Sequence, residues 1–211
     1  GQTYQTGADP WQLFAAWAVL GIPFALAAAW APIWALLLLV ANLAVGLHFG
    51  DTPGLGWLFS PSGIVISLVV LDVAAAALAE GAITRGFDDR YRMVPRTAGL
   101  VALGAATFGM LYFIFAGDGP GRREPALALA WLGVMAGAYF AWRVARRDLL
   151  MLSATALSGI VIISAGLAWM LGDRAGPAGL LIAAVIVGLS AWAAHWIRRL
   201  GQSPDAEEER A

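Results

Sequence analysis

Asp72 is the residue best placed to do chemistry, because it lies inside the apolar run "ISLVVLDVAAAALAEGAIT". In hydrocarbon a carboxyl group is costly unless it faces the bundle, pairs or is protonated. Asn42, in the middle of the preceding apolar run, is the nearest candidate hydrogen-bond partner. Glu80 falls one turn from the end of the run and is expected to pair with Arg85. Asp72 is interpreted as a polar clamp between helices, as a proton- or ion-handling carboxylate, or as a group in a wet cavity.

Metal chemistry is disfavoured by the spacing of the other polar residues. His48 and His195 are predicted at opposite membrane ends, and neither has a ligand partner three or four residues on. Asp88 and Asp89 could bind a divalent cation, yet arginines surround them in "RGFDDRYR". A loop of ion pairs that anchors to anionic lipid heads is the favoured interpretation. No metal and no cofactor is therefore expected.

The composition is that of a polytopic membrane protein. Of the 211 residues, 60% are hydrophobic and 13% are charged, against about 25% charged in soluble domains. Mean hydropathy is +0.74. The net charge of −1 provides no basic footprint for nucleic acid. There is no cysteine, and no catalytic motif is found, so the protein is not expected to be an enzyme.

The apolar pattern predicts an all-α transmembrane bundle of about seven helices, each near the 20 residues that cross a bilayer. The predicted spans are 11–29, 32–49, 63–83, 97–116, 125–143, 149–171 and 178–197. Residues 1–200 form the predicted transmembrane domain, and 201–211 form a polar cytoplasmic tail. Residues 11–49 are read as a hairpin, because one helix of that length would extend about 58 Å. Asp9 is the predicted N-cap of the first helix, and Pro10 its first residue.

The arginines segregate to alternate connections. Ten fall on one predicted side and three on the other, and all thirteen basic residues are arginine. The positive-inside rule then places the C-terminus in the cytoplasm. Tryptophans mark both membrane interfaces, where indoles prefer to lie. The outer group is Trp11, Trp57, Trp131 and Trp169, and the inner group is Trp30, Trp34, Trp142, Trp192 and Trp196.

Small and hydroxyl residues mark two further spans. Gly133 and Gly137 in span five form a small-xxx-small face, favoured for helix packing within the bundle over dimerisation. Ala75, Ala76 and Ala79, which follow Asp72 at helical spacing, predict a second face that packs on protein. The hydroxyls of span six, Ser158 among them, can bond to carbonyls of their own helix and need not line a pathway.

Three segments resemble a known group of proteins. The first carries Gln2, Tyr4, Gln5, Gly7, Asp9, Pro10, Leu13, Phe14, Trp17 and Pro23; the others are "RRDLLMLSATALSGIVI" and "AWAAHWIRRL". Together they are similar to the bacterial membrane proteins grouped as domain of unknown function 2157. That resemblance implies a polytopic inner-membrane protein with further helices upstream of Gly1, and another inner-membrane protein as partner. It transfers no catalytic residue.

Two functions are expected from these observations. The first is a non-enzymatic scaffold, sensor or accessory subunit of a membrane complex in the bacterial inner membrane. The alternative is a small-solute or ion transporter that uses Asp72 and Asn42. The segment with Gln2, Tyr4 and Gln5 is read as an extracytoplasmic turn before a capped helix, or as a surface for a ligand or partner. The expected partners are the lipid bilayer and another inner-membrane protein, and no nucleic acid is expected.

Overall fold

The computed structural model describes residues 9–51, 61–86, 88–116, 124–145, 147–172 and 177–202. In these residues all regular secondary structure is helical. The seven long helices are α1 (Pro10–Ala28), α2 (Ala31–Asp51), α3 (Pro61–Thr84), α4 (Met93–Phe115), α5 (Pro125–Tyr139), α6 (Leu149–Leu171) and α7 (Pro177–Gly201). A 3-10 turn, Asp89–Arg92, precedes α4, and a π-helical turn, Phe140–Ala145, extends α5. The prediction of an all-α fold with seven membrane-spanning helices is confirmed.

Prolines explain where several helices begin. Helices α1, α3, α5 and α7 start at Pro10, Pro61, Pro125 and Pro177. Proline suits a first helical turn, because the backbone N–H that it lacks has no intrahelical acceptor there. Each of these starts lies within two residues of the predicted one.

The break between α1 and α2 confirms the predicted hairpin. Ala29 adopts a left-handed conformation with φ of 47°, and its N–H donates to the carbonyl of Ala25. A left-handed residue at this position ends a helix by satisfying one of its last carbonyls. The chain then reverses and begins α2 two residues later.

The two carboxylates before α1 and α6 act differently. Asp148 accepts hydrogen bonds from the N–H groups of Leu150 and Met151, at 3.1 and 3.3 Å, and so caps α6. Asp9 occupies the predicted N-cap position of α1, but its side chain makes no capping hydrogen bond. Its backbone carbonyl accepts from Gln12 N–H instead. Asp9 is therefore the N-cap residue of α1, as predicted, but the prediction that its side chain caps the helix was wrong.

Large apolar side chains cover the outer faces of the helices. Phe24 is 73% exposed and Leu78 is 75% exposed, and many other large apolar side chains are also exposed. Water would not tolerate so continuous an apolar surface, whereas lipid requires it. The chain is a multi-pass membrane protein.

The first compact unit comprises Gly1–Ala105. In it α2 packs against both α1 and α3, and the 3-10 turn Asp89–Arg92 contacts α3 and α2. Small residues such as Ala25, Ala35 and Ala44 are buried in this unit. Their short side chains let the helices approach closely, which is how helices associate in lipid.

The second compact unit comprises Ala106–Ala211. Here α6 contacts α5, the π-helical turn and α7. Trp142, in the π-helical turn, is only 6% exposed and packs with Met151 and Leu152. It was predicted at the inner membrane interface, which stays a prediction; it lies in the turn that ends α5, and its indole packs in the core at this end of the unit. One domain over 1–200 stays a prediction, and most of the 201–211 tail lies outside the described residues.

Candidate functional site

Asn42 and Asp72 form a hydrogen bond in the first unit. Asn42 Nδ2 donates to Asp72 Oδ1 at 3.0 Å and also to the backbone carbonyl of Leu38 at 3.0 Å. Each residue lies close to the midpoint of its helix, so the bond joins α2 and α3 halfway along their length. The partner predicted for Asp72 is therefore the one that it has.

Two oxygens of this pair have no donor among the described residues. Asp72 is 0% exposed and Asn42 is 8% exposed. Asp72 Oδ2 and Asn42 Oδ1 are both buried without a hydrogen-bond partner. A buried acceptor that lacks a donor costs about 1–3 kcal/mol. The site can thus accept hydrogen bonds or hold a proton or a small cation beyond what the described helices supply.

A cavity of about 620 Å³ begins next to this pair. Ala41, the residue before Asn42, lines it, as does Ala75, one turn after Asp72. Ala79 lies on the same wall. Two of the three alanines that were predicted to pack on protein, Ala75 and Ala79, therefore line open space in this unit, and Ala76 does not. The reason is that α1 and α3 both pack on α2, which leaves a gap between them.

The charged residues beyond α3 form ion pairs of neighbouring residues. Arg90 Nε lies 3.1 Å from Asp88 Oδ2, and Arg92 Nε lies 3.2 Å from Asp89 Oδ1. Asp88 also accepts a hydrogen bond from Arg90 N–H and so caps the 3-10 turn. The arginines hold these two carboxylates, as the sequence predicted.

Glu80 lies on the last two turns of α3, away from the Asn42–Asp72 bond. Arg85 Nη1 donates to the carbonyl of Gly81 at 3.1 Å. The predicted pairing of Glu80 with Arg85 stays a prediction. Glu80 is not brought together with Asp72, because the two residues are eight positions apart on one helix.

The histidines have separate surroundings. His48 packs edge-on against Trp11, with ring centroids 4.4 Å apart, near the ends of α1 and α2. His195 is exposed on α7. Within the described ranges, no three His, Cys, Asp or Glu side chains are grouped so that they could hold a metal ion.

A second buried polar cluster lies in the second unit and was not predicted. The Ser158 hydroxyl contacts Thr107 Oγ1 at 2.7 Å and accepts from Trp131 Nε1 at 3.0 Å. It thereby joins α6 to α4 and α5. Trp131 was predicted at the membrane interface, and Ser158 was one of the hydroxyls that can bond to their own helix, so neither interpretation pointed to this cluster. Thr155, one turn earlier, does bond back to the Met151 carbonyl.

The described residues of the predicted amino-terminal motif are Asp9, Pro10 and Trp17, all on or next to α1. Trp17 is exposed on α1 and packs edge-on against Phe14. Asp9 and Pro10 start the same helix, whereas Gln2, Tyr4 and Gln5 lie outside the described residues.

The glycine face of α5 is open within its own unit. A Cβ atom added at Gly133 or Gly137 would meet nothing within 4 Å, and both residues are exposed. The packing predicted for this face is not found inside the second unit, because α6 contacts α5 elsewhere. One such contact is Met135 Cε, which lies 3.6 Å from a Cβ built at Gly159.

Comparisons with known proteins add no relative. The chain matches no family model, no curated protein and no solved structure. The resemblance to domain of unknown function 2157 therefore stays a prediction.

Proposed function

We propose that the chain is a non-enzymatic subunit of a membrane complex, and that its buried polar pairs hold its helices in one arrangement. The observation that carries this proposal is that Asp72 is buried and bonded to another helix. Its carboxyl group is enclosed, and the hydrogen bond from Asn42 ties it to the neighbouring helix. Ser158 is used in the same way, between three helices.

The surroundings of Asp72 also support a structural role. The cavity beside it is lined by alanine, leucine and other apolar side chains, with Trp34 and Tyr91 as the lining residues that carry a polar side-chain atom. A path for a hydrated solute needs polar groups along its length. Apart from Trp34 and Tyr91, the described residues that line this cavity offer no side-chain polar group.

The test compares Asp72→Asn with the wild-type protein in the full chain. Asparagine keeps an oxygen that can accept from Asn42 but carries no titratable proton. Both proteins are placed in liposomes that contain a pH-sensitive dye, and a proton gradient or a Na⁺ or K⁺ gradient is imposed. We expect the same slow leak from both proteins and from empty liposomes. A flux in wild type that Asp72→Asn abolishes, with unchanged melting in detergent, would overturn the proposal.

A second candidate function is a proton- or cation-coupled carrier. It is favoured by the two buried oxygens without donors, Asp72 Oδ2 and Asn42 Oδ1. A proton on Oδ2, or a small cation between the two oxygens, would satisfy both groups. In the liposome assay this candidate requires that Asp72→Asn stops the flux. Asn42→Asp, which keeps oxygen ligands at both positions, should then change the ion preference.

The proposed location is the bacterial inner membrane, with the C-terminus in the cytoplasm. The ten-to-three distribution of arginines supports this orientation. A cysteine placed after Ala211 in this cysteine-free chain can be labelled in intact cells with a membrane-impermeant maleimide. We expect labelling only after the cells are opened. Labelling of intact cells would reverse the orientation.

A further inference from the structure

The cavity of about 620 Å³ is a furrow between α1 and α3, with α2 as its floor. Alanines form half of the α1 wall and three of the five residues of the α3 wall, and larger apolar side chains such as Leu26 and Leu78 are exposed beside them. Its lining along the two walls is Ala18, Val19, Ile22, Ala25, Leu26 and Ala29 from α1, and Ala75, Leu78, Ala79, Ala82 and Ile83 from α3. All of it belongs to the first compact unit.

The furrow is one leaflet deep. Along α1 it extends from Ala18 to Ala29, which is about 16 Å at 1.5 Å per residue. The hydrocarbon core of a bilayer is about 30 Å thick, so one leaflet contributes about 15 Å. The deep end lies beside Asn42 and Asp72 at mid-helix. A partner helix that crossed the membrane would need a groove about twice as long, whereas an acyl chain needs this length.

The shallow end of the furrow is basic. Tyr91 lines it, and the guanidinium carbon of Arg90 lies 5.5 Å from the centroid of the Tyr91 ring. The four arginines Arg85, Arg90, Arg92 and Arg96 outnumber the three carboxylates Glu80, Asp88 and Asp89 by one. A negatively charged headgroup at this end would therefore meet a net positive surface, with Arg90 held at the mouth.

We propose that this furrow binds one anionic phospholipid from the leaflet on the arginine-rich side. An acyl chain lies between α1 and α3, and Arg90 contacts the phosphate. The site is independent of the function proposed above, because it uses neither the Asp72 carboxyl group nor a partner protein. Guanidinium groups bind phosphate with paired N–H donors, and basic recesses between membrane helices select anionic headgroups.

Native mass spectrometry of the full chain in detergent counts the lipids bound to each chain. Phosphatidylglycerol and phosphatidylcholine are added separately, so that the anionic headgroup is tested against a zwitterionic one. We expect the wild-type chain to retain one phosphatidylglycerol in preference to phosphatidylcholine. Arg90→Gln should bind it about fivefold more weakly, the effect of one arginine near a membrane surface.

Two matched pairs of variants localise the lipid. Ala79→Phe fills the furrow and should abolish retention, while Ala77→Phe, on the opposite face of α3 and exposed, should retain it. Arg198→Gln removes an exposed arginine at the end of α7. This variant should retain phosphatidylglycerol as well as the wild-type chain does. Should Ala79→Phe fail to fold, the smaller change Ala79→Leu takes its place, with a partial loss expected.

Three outcomes would overturn the proposal. The first is equal retention of the two lipids by the wild-type chain, which would indicate ordinary surrounding lipid. The second is retention by Ala79→Phe, folded as judged by gel filtration, at the wild-type level. The third is displacement of phosphatidylglycerol by excess inorganic phosphate. That result would mean that the arginines bind the phosphate and that the acyl chain in the furrow contributes nothing to binding.

Discussion

Asn42 Nδ2 lies 3.0 Å from Asp72 Oδ1, although thirty residues separate the two in the chain. The second hydrogen bond of Asn42 Nδ2, to Leu38 O, fixes the amide relative to its own helix. Because both donor positions are used, the amide cannot rotate without losing a bond. The pair therefore sets the register between α2 and α3, in the way that a single buried asparagine sets the register of coiled coils.

The two members of this pair are expected to differ in their effect on stability. Asn42→Leu removes the donor from buried Asp72 and should lower stability by about 1–3 kcal/mol. Asp72→Leu leaves Asn42 bonded to Leu38 O and should cost less. The double variant should recover most of the loss, because no buried polar group is then left unpaired. Thermal unfolding in detergent measures all three, and strictly additive losses would contradict the clamp.

Ser158 is expected to hold its cluster through the hydroxyl oxygen. Ser158→Ala leaves Trp131 Nε1–H and Thr107 Oγ1 without this partner. It should cost about 0.6 kcal/mol, the average for such bonds between membrane helices, and no more than about 1.7 kcal/mol, the largest value found. Ser153→Ala is the control, because Ser153 is exposed and, among the described residues, its hydroxyl donates to the Leu150 carbonyl of its own helix. Equal melting temperatures for the two variants would show that the cluster contributes nothing to stability.

The cap on α6 gives a separate test. Asp148→Ala removes the acceptor for two N–H groups and should cost about 1 kcal/mol, whereas Asp148→Asn should cost a few tenths. Asp9→Ala serves as the comparison, because the Asp9 side chain makes no such bond. Chemical unfolding followed by circular dichroism should show a clear loss for Asp148→Ala only.

The open glycine face of α5 should tolerate larger side chains. A Cβ atom at Gly137 meets no described atom within 4 Å, so we expect Gly137→Leu to leave the melting temperature of the monomer unchanged. Gly159→Leu should lower it, because Met135 already lies within contact distance of a Cβ there. If this face binds a partner or a second copy, Gly137→Leu should also reduce that association, which crosslinking in membranes measures. A folding defect in Gly137→Leu would show that the face is packed after all.

Asp88 is expected to oppose lipid binding by Arg90. Asp88→Asn keeps an oxygen that can cap the 3-10 turn but removes the charge that pairs with the guanidinium group. Retention of phosphatidylglycerol should therefore rise severalfold. An exposed ion pair contributes about 0–1 kcal/mol to stability, so the melting temperature should change little. If Asp88→Asn retains phosphatidylglycerol only as well as the wild-type chain does, the proposed contact between Arg90 and the lipid phosphate is wrong.

The helices and the Asn42–Asp72 bond could be predicted, and each for a physical reason. A bilayer requires about 20 apolar residues for each crossing, so length and hydropathy alone define the spans. Consecutive spans run in opposite directions, so residues near the midpoints of two neighbouring spans lie at the same depth. Asn42 and Asp72 satisfy this condition, and few other polar residues offered an alternative.

The Ser158 cluster and the furrow could not be predicted from the same patterns. A serine in a membrane helix can bond to its own backbone or to another helix, and the sequence does not distinguish the two. Thr155 takes the first option and Ser158 the second. Alanines at helical spacing equally suit a packed interface and the wall of an open furrow. Which of these forms depends on the angles between helices, and these depend on side chains elsewhere.

The π-helical turn Phe140–Ala145 holds one residue more than an α-helix would place in the same length. Loss of one residue from it would leave an ordinary α-helical turn, and the lipid-facing and inward-facing sides of α5 would stay as they are. A one-residue deletion in the middle of α5 would instead turn every preceding side chain by about 100° relative to Trp142. In this span, evolutionary changes of length are thus tolerated at the turn and penalised elsewhere.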